Sequence, residues 1–268
     1  MRGVVAAAIA VTGCSGGCGG TTTNAQTPGK PAADELRVLS YNVNFGLAGD
    51  MQEVTAVGPV MADVVFLQET NAEWEAAFVD TFSRRYPHHR FDAPESEPAG
   101  GMGVLSRFPI ESIEKLPSHG GFFFAWRVVL KTNLGRVQVL NVHLRPPISD
   151  GGSWVAGYFS TRENRREEIA YHIEALDRAL PTLVVGDFNE EGDGLAVQRL
   201  GEIGFDDAIA HFAPKQRTWE WKLPSGMTLH FQLDHIMYDA RFEPLQAHVV
   251  EAGRSDHKPV WTDFALVR

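Results

Sequence analysis

Short apolar runs that each end on one polar residue set the tightest limit on how this chain folds. LSY is followed by Asn42, VVFLQ by Glu69, VQVLNV by His143, and LVVG by Asp187, with Asn189 two residues on. Runs of this length, rich in β-branched residues, read as buried strands rather than helices. If these strands share a sheet edge, their ends meet at one rim and five polar groups converge there. Asp234 lies inside the apolar run LDHIMY, where an unpaired charge is costly. Asp256 and His257 precede the final apolar run.

The rest of the pattern alternates strands with helices. Strands are predicted over 36–41, 64–68, 122–130 and 137–142, the last two joined by the turn residues Asn133, Leu134 and Gly135. A helix separates the first two strands. A longer helix is predicted over 160–180. Ser160 and Glu163 have capping-box spacing, Ile169, Ile173, Leu176 and Leu180 share a face, and Pro181 ends the run. A strand then starts at Thr182, and three more runs lie near 229–238, 242–250 and 259–267. No solenoid-type repeat interrupts this order. Many strands with a few helices outside them predict an α/β body of two packed sheets.

Charge narrows the function. The 268 residues carry 24 Lys plus Arg against 34 Asp plus Glu, a net charge of −10. Holding a polyanion by a basic surface alone needs the opposite balance. An enzyme that meets phosphate through a bound cation remains compatible.

The N-terminus reads as an address. Arg2, the apolar stretch from Val4 to Val11, and Thr12-Gly13-Cys14 have the anatomy of a bacterial secretory signal, and VTGC resembles a lipoprotein lipobox. Residues 1–13 are assigned as signal peptide, Cys14 as the lipidated first residue, 14–34 as a flexible tether, and 35–268 as the folded domain. The alternative is a buried strand and a Gly-rich turn. Cys18 is a second acceptor but lacks the preceding aliphatic residue. Both cysteines lie in this segment, so the body has no thiolate metal site, Cys nucleophile or disulfide. The expectation is an exported, membrane-anchored monomer, periplasmic or on the cell surface.

Seven strings carry a resemblance: SYNVN at Ser40–Asn44, LQET at Leu67–Thr70, SRFPI at Ser106–Ile110, NVHL at Asn141–Leu144, GDFN at Gly186–Asn189, LDHI at Leu233–Ile236 and SDHKPV at Ser255–Val260. In this order they resemble the endonuclease/exonuclease/phosphatase superfamily of metal-dependent phosphoesterases, from about Leu36 onward. The resemblance implies a four-layered α/β sandwich of two mostly antiparallel sheets flanked by helices. It also implies in-line attack by water on a phosphoester, with no covalent intermediate. Glu69 is then the principal metal ligand, supported by Asn42 and Asp256. Asp187 orients or deprotonates the water, and Asn189 holds it. His257 contacts the phosphate with Asp234 fixing its tautomer, and His143 donates to a phosphoryl or leaving oxygen. Hard oxygen ligands of this kind suit Mg²⁺, with Mn²⁺ or Ca²⁺ as alternatives.

Each residue also has a structural reading. Asn42 fits a strand-end turn, Glu69 a helix N-terminus ahead of 72–82, His143 a core histidine, Asp187 with Asn189 an Asx turn, and Asp256 with His257 a surface pair. His235 is expected on the opposite sheet face from Asp234, and His172 is read as structural. Arg145 is a candidate for a substrate phosphate. Arg162, Arg165 and Arg166 alternate with Glu163, Glu167 and Glu168 and read as a solvated, salt-bridged face. Arg84, Arg85, His88, His89 and Arg90 form the densest basic patch.

By resemblance, His at position 143 points to the deoxyribonuclease, sphingomyelinase and inositol-phosphatase branches rather than to abasic-site repair, where a Tyr is typical. Glu95 and Glu97 are candidate carboxylate partners for His143. Three functions follow: a nuclease acting on nucleic acid, a hydrolase of phospholipid head groups or small phosphate esters, and a non-catalytic surface binding module. Pocket shape near 122–126 and 219–221 discriminates among substrates.

Overall fold

The computed structural model describes residues 28–94, 98–120, 122–147, 157, 160–222 and 226–267. The signal segment, Cys14, most of the tether, Glu95 and Glu97 lie outside these residues. Two six-stranded sheets face each other. The first runs in the order β13 (Phe242–Val249), β14 (Val260–Leu266), β1 (Leu36–Asn42), β2 (Val64–Gln68), β4 (Met102–Ser106), β3 (His88–Asp92). The second runs β5 (Ile110–Leu116), β6 (Ala125–Thr132), β7 (Gly135–His143), β8 (Thr182–Asp187), β12 (Asp234–Asp239), β9 (Phe205–Asp207). Each sheet has one parallel pair at its centre, β1 with β2 and β7 with β8, and antiparallel neighbours elsewhere. A separate hairpin pairs β10 (Trp219–Lys222) with β11 (Thr228–Phe231).

Alternation along the strands decides what each face buries. Leu36 and Val38 of β1, Val64 and Phe66 of β2, Val137 and Val139 of β7, and Leu183 and Val185 of β8 meet in the layer between the sheets. Their neighbours Leu39, Tyr41, Val65 and Leu67 face outward onto α1 (Met51–Val57) and α2 (Ala72–Phe82), where Trp74 and Phe78 cover them. Leu140, Val142 and Val184 pack outward beneath α3 (Arg162–Ile173) and α4 (Leu195–Glu202). A short helix, α5 (Ala208–Phe212), adds Ala208 and Ile209 to the central layer. The four-layered sandwich expected from the sequence is formed. Each fully buried large aliphatic side chain stabilises it by roughly 1.5–3 kcal/mol.

Several boundaries move for tertiary reasons. The helix predicted to reach Leu180 stops at Ile173, because the following turn gives up its helical partners. Ala175 O accepts from Arg127 (2.7 Å), and Asp177 N donates to Gln138 Oε1 (3.0 Å). The capping box is not formed: Ser160 Oγ turns back to Gly157 O at 3.4 Å. Strand β6 begins at Ala125 rather than Phe122, since Phe123 leaves the ladder to stack on His143. The run 229–238 is two strands, broken where Gln232 Nε2 donates to Ala213 O and Gln216 O and the chain changes sheets. Residues 29–34 of the assigned tether are docked on the body. Arg37 Nη1 donates to Gly29 O at 2.7 Å, and Asn133 Nδ2 to Ala33 O at 2.8 Å.

Arg165 is the clearest departure. Read as part of a solvated face, it is fully buried and pairs with Glu190 at 3.0 Å, while Arg166 keeps the exposed i,i+3 pairing with Glu163. No helix among the described residues is long and apolar enough to cross a membrane.

His235 behaves as a structural residue, on the face opposite Asp234. Its ring nitrogens meet Asp207 Oδ2 at 2.6 Å and Glu190 O at 2.9 Å. Burial alone lowers its pKa, but the charge and hydrogen bond of Asp207 reverse this and carry it to about 9 from an ordinary 6.5. A raised pKa contributes stability that is full below the unfolded value and fades as pH rises through the folded one. Denaturant melts of the body should lose on the order of 3 kcal/mol between pH 6.5 and 9 from this group. His235→Asn should be less stable and lack that slope; an equal slope in both proteins would refute the assignment.

Candidate active site

The inner-face rows that are apolar at mid-sheet turn polar at one end. On β1 the row Leu36, Val38 continues to Ser40 and Asn42, and on β2 Val64, Phe66 continues to Gln68. On β7 it continues to Asn141 and His143, and on β8 to Asp187. Because β12 and β14 run antiparallel to these strands, their beginnings reach the same rim. His143, Asp187 and Asp234 stand in one register row across three strands. The chain before β14 brings Asp256 and His257 alongside.

Close backbone approach shapes this end. A Cβ on Gly186 would lie 1.9 Å from Val142 O, and one on Gly101 would lie 1.8 Å from Thr70 O. The GDFN glycine thus lets β7 and β8 bring His143 beside Asp187. Beneath the rim, Gln68 Nε2 donates to Asn141 Oδ1 at 2.7 Å and to Ser40 Oγ at 3.1 Å, tying the two sheets together in a buried layer.

Asp187 is the hub. Its Oδ2 accepts from Asn42 Nδ2 at 3.1 Å and from Asn189 Nδ2 at 3.4 Å, and its Oδ1 accepts from Asn189 N at 2.8 Å. His257 Nε2 lies 3.4 Å from the same Oδ2, and His143 Nε2 lies 3.5 Å from it. Burial raises the Asp187 pKa, and the neighbouring His257 opposes that rise.

The two imidazoles are set differently. His257 Nδ1 donates to Asp234 Oδ2 at 2.9 Å. Burial would lower the His257 pKa, but Asp234 and Asp187 lift it well above the ordinary value, so the ring is an imidazolium at neutral pH. Asp234 is held in turn by Thr218 Oγ1, which accepts its N–H at 3.0 Å, and its Oδ1 is buried without a partner. His143 Nδ1 donates to Ala99 O at 3.2 Å, and the ring stacks on Phe123 at 4.2 Å between centroids. Burial lowers its pKa despite Asp187. Neutral His143 therefore presents the Nε2 lone pair to the carboxylates of Asp187 and Glu69, the latter 3.9 Å away.

Glu69 takes φ of 60° just past β2, which swings its carboxylate inward. It accepts from Asn42 Nδ2 at 3.0 Å and from Phe45 N at 3.1 Å, and burial raises its pKa against the Asn42 hydrogen bond. It does not cap α2; that role falls to Asn71, whose Oδ1 accepts from Glu73 N and Trp74 N. Asp256 accepts from Asn44 Nδ2 at 2.8 Å and from Trp219 Nε1 at 2.9 Å.

All eight sequence-assigned site residues are thus brought to one rim. Several structural readings hold at the same time: Asp187 with Asn189 is an Asx turn, and Asn42 Oδ1 accepts from Asn44 N at 3.1 Å. The Asp256–His257 pair is not a surface pair, since His257 is buried. Arg145 stands on the His143 flank, its guanidinium 4.7 Å over Phe122. SRFPI lies at the opposite end, where Ser106 pairs with Val64 and Arg107 bonds Asp63.

Sequence reasoning missed Asn44, Thr218 and the clasp of Tyr41, Glu53 and Arg254 N beneath the 253–257 turn, and it read Trp219 as pocket lining rather than as a partner of Asp256. Asn44 and Tyr41 lie inside SYNVN, and that string was their only signal.

Four carboxylates, Glu69, Asp187, Asp234 and Asp256, with one orphaned oxygen and one inward lone pair, make this rim a place able to hold a cation. Asp187, Asp234 and His257 place ligand atoms within 4.8 Å of one another. Asn42 turns its amide nitrogen to Glu69 and Asp187, so it offsets their charge as it stands. To ligate through Oδ1, the amide must turn over.

No curated protein matches the sequence. Solved structures do share the fold. An endonuclease/exonuclease/phosphatase from Beutenbergia cavernae DSM 12333 superposes with TM-score 0.66 at 20% identity, over 87% of this chain and 72% of that one. The human Nocturnin catalytic domain with bound sulfate gives TM-score 0.65 at 17% identity, over 87% and 94%. Sphingomyelinase C from Streptomyces griseocarneus gives 0.61 at 20% identity, over 85% and 99%. The sequence pattern of the Endonuclease/Exonuclease/phosphatase family matches residues 39–257, and the chain belongs to that family.

Proposed function

We propose that this chain is an exported, lipid-anchored phosphodiesterase that uses Mg²⁺ and hydrolyses nucleic acid by in-line attack of water. The observation that carries the reading is the convergence of Asp187, Asn42, Glu69, His143 and the Asp234–His257 pair at one rim. Glu69 and Asp256 are the oxygen donors assigned to the cation, with Asn42 joining through its amide oxygen. The Asp187, Asp234 and His257 group is assigned to chemistry instead, because the His257–Asp234 hydrogen bond already accounts for their closeness. A bound Mg²⁺, or Mn²⁺ or Ca²⁺, supplies charge compensation at the phosphoryl oxygens.

The residues divide the work by protonation state. Ionised Asp187 takes the proton of the attacking water as the new P–O bond forms. Asn189, its amide nitrogen engaged by Leu144 O at 3.0 Å, holds that water through its amide oxygen. Imidazolium His257, kept charged by Asp234, binds a non-bridging phosphoryl oxygen. Neutral His143, its Nδ1 proton committed to Ala99 O, takes the water's proton from Asp187 at Nε2, 3.5 Å away, and passes it to the oxygen that departs as the old P–O bond breaks. This division is that of general acid–base catalysis with electrostatic stabilisation.

A second reading, hydrolysis of a phospholipid head group, draws on the likeness to sphingomyelinase C and on exposed Met227 beside the hairpin. Nicking of supercoiled plasmid separates the two. The body, residues 34–268, should nick with Mg²⁺ and stop with chelator. His257→Ala should lose roughly 10²–10⁴-fold in rate while still unfolding in one cooperative thermal transition. No nicking from folded wild type that cleaves sphingomyelin would replace the nuclease reading.

The Asp234–His257 pair sets the alkaline limb of the pH profile. Asp234→Asn removes the charge that lifts His257, so its proton is lost at lower pH and the limb of kcat/KM should move down. A limb that stays in place would disconnect His257 from activity. For the anchor, the full chain should partition with membranes and Cys14→Ser should be released to the soluble fraction. Membrane retention of that variant would discard Cys14 as the lipidated residue.

A further inference from the structure

A surface arginine two residues beyond His143 is held by two buried ionisable groups. Glu168 of α3 is fully buried; its Oε2 accepts the Arg145 N–H at 2.9 Å, and its Oε1 is buried without a partner. Arg165, one turn earlier, donates to Arg145 O at 3.4 Å, to Thr161 Oγ1 at 2.6 Å and to Glu190 Oε2 at 3.0 Å. Glu190 in turn accepts from Ala196 N and Val197 N in the first turn of α4. The Arg145 peptide is therefore gripped at both its N–H and its carbonyl by groups anchored in two helices. Burying a carboxylate with one oxygen unpaired is costly, and a loop that only closed the fold would have no need of it.

The side chain so placed meets an exposed ring. The Arg145 guanidinium lies 4.7 Å over Phe122 and donates to Gly120 O at 3.4 Å, while Phe122 stays 45% exposed. Phe123, next in the chain, stacks on His143, which fastens the pair to the catalytic rim. A guanidinium layered on an aromatic ring offers charge to a phosphate and a planar surface to a base. It repels a quaternary ammonium.

We propose that Arg145 and Phe122 form a subsite for the nucleotide flanking the scissile phosphodiester, Arg145 taking the flanking phosphate, with Glu168 and Arg165 as positioning residues. This rests on the phosphodiesterase reading and names its substrate: a polynucleotide, recognised one phosphate beyond the bond that breaks.

The test compares a thymidine dinucleotide with hydroxyls at both ends against the same dinucleotide phosphorylated at both ends, following cleavage of the internal ester. Wild type should favour the phosphorylated form by about tenfold in kcat/KM, the scale of one charge-assisted contact. Arg145→Ala should bring that ratio close to one, Arg145→Lys should retain part of it, and Phe122→Ala should reduce it. Glu168→Gln, checked for folding by its thermal melt, should lower the ratio while Arg145 itself is intact. A wild-type ratio near one, or a ratio unchanged in Arg145→Ala, overturns the subsite. Faster wild-type turnover of p-nitrophenyl phosphocholine than of either dinucleotide overturns it as well. Bis(p-nitrophenyl) phosphate, which has no flanking phosphate, reports on the phosphodiesterase reading alone. If wild type cleaves it and the dinucleotide ratio is one, only the subsite falls.

Discussion

Asp187 carries a carboxylate almost wholly enclosed by protein groups, and the rim is arranged around that fact. A buried charge of this kind is tolerable only among donors and opposite charges. Asn42 comes from the other sheet, Asn189 from the loop beyond β8, His143 from β7 and His257 from the chain before β14. Each of these groups is held elsewhere: His257 by Asp234, His143 by Ala99 O, Asn189 by Leu144 O. The outcome is a site whose first contacts are rigid because every member has a second commitment.

That arrangement requires two sheets to end in the same plane. The parallel pairs β1–β2 and β7–β8 point their C-terminal ends the same way, and the Gln68–Asn141 and Asn42–Asp187 hydrogen bonds lock one sheet against the other. Below this layer the interior is apolar and close-packed; above it lies the polar rim. The change from core to site occurs within one strand, between Val38 and Asn42 on β1 and between Val185 and Asp187 on β8.

Opposite protonation of the two histidines follows from placement. His257 faces Asp234 and Asp187 and keeps its proton; His143, buried against Phe123, gives up its charge. A third histidine, His235, is charged for structural reasons on the far side of the same strand as Asp234. Strand alternation already separates the two in the sequence, since it turns His235 to the face opposite Asp234.

Short continuous apolar runs determined the central strands and the polar residues that end them, because each is a property of a few neighbouring residues. The eight site residues were singled out only jointly, by seven strings in the order of a known family; taken singly, each also had a structural reading. Helix ends, the caps and the fate of Arg165 depended on partners far along the chain. Ser160 lost its cap to a turn, Arg165 found Glu190, and the helix stopped where Gln138 and Arg127 took its backbone groups. Asn44, Trp219 and the Glu53 clasp also have meaning only after folding, since their partners lie more than ten to two hundred residues away. The chain's letters declared which polar groups end the buried strands. Only the packing of two sheets could decide which of them stay charged, which stay neutral, and which arginine stands beside them.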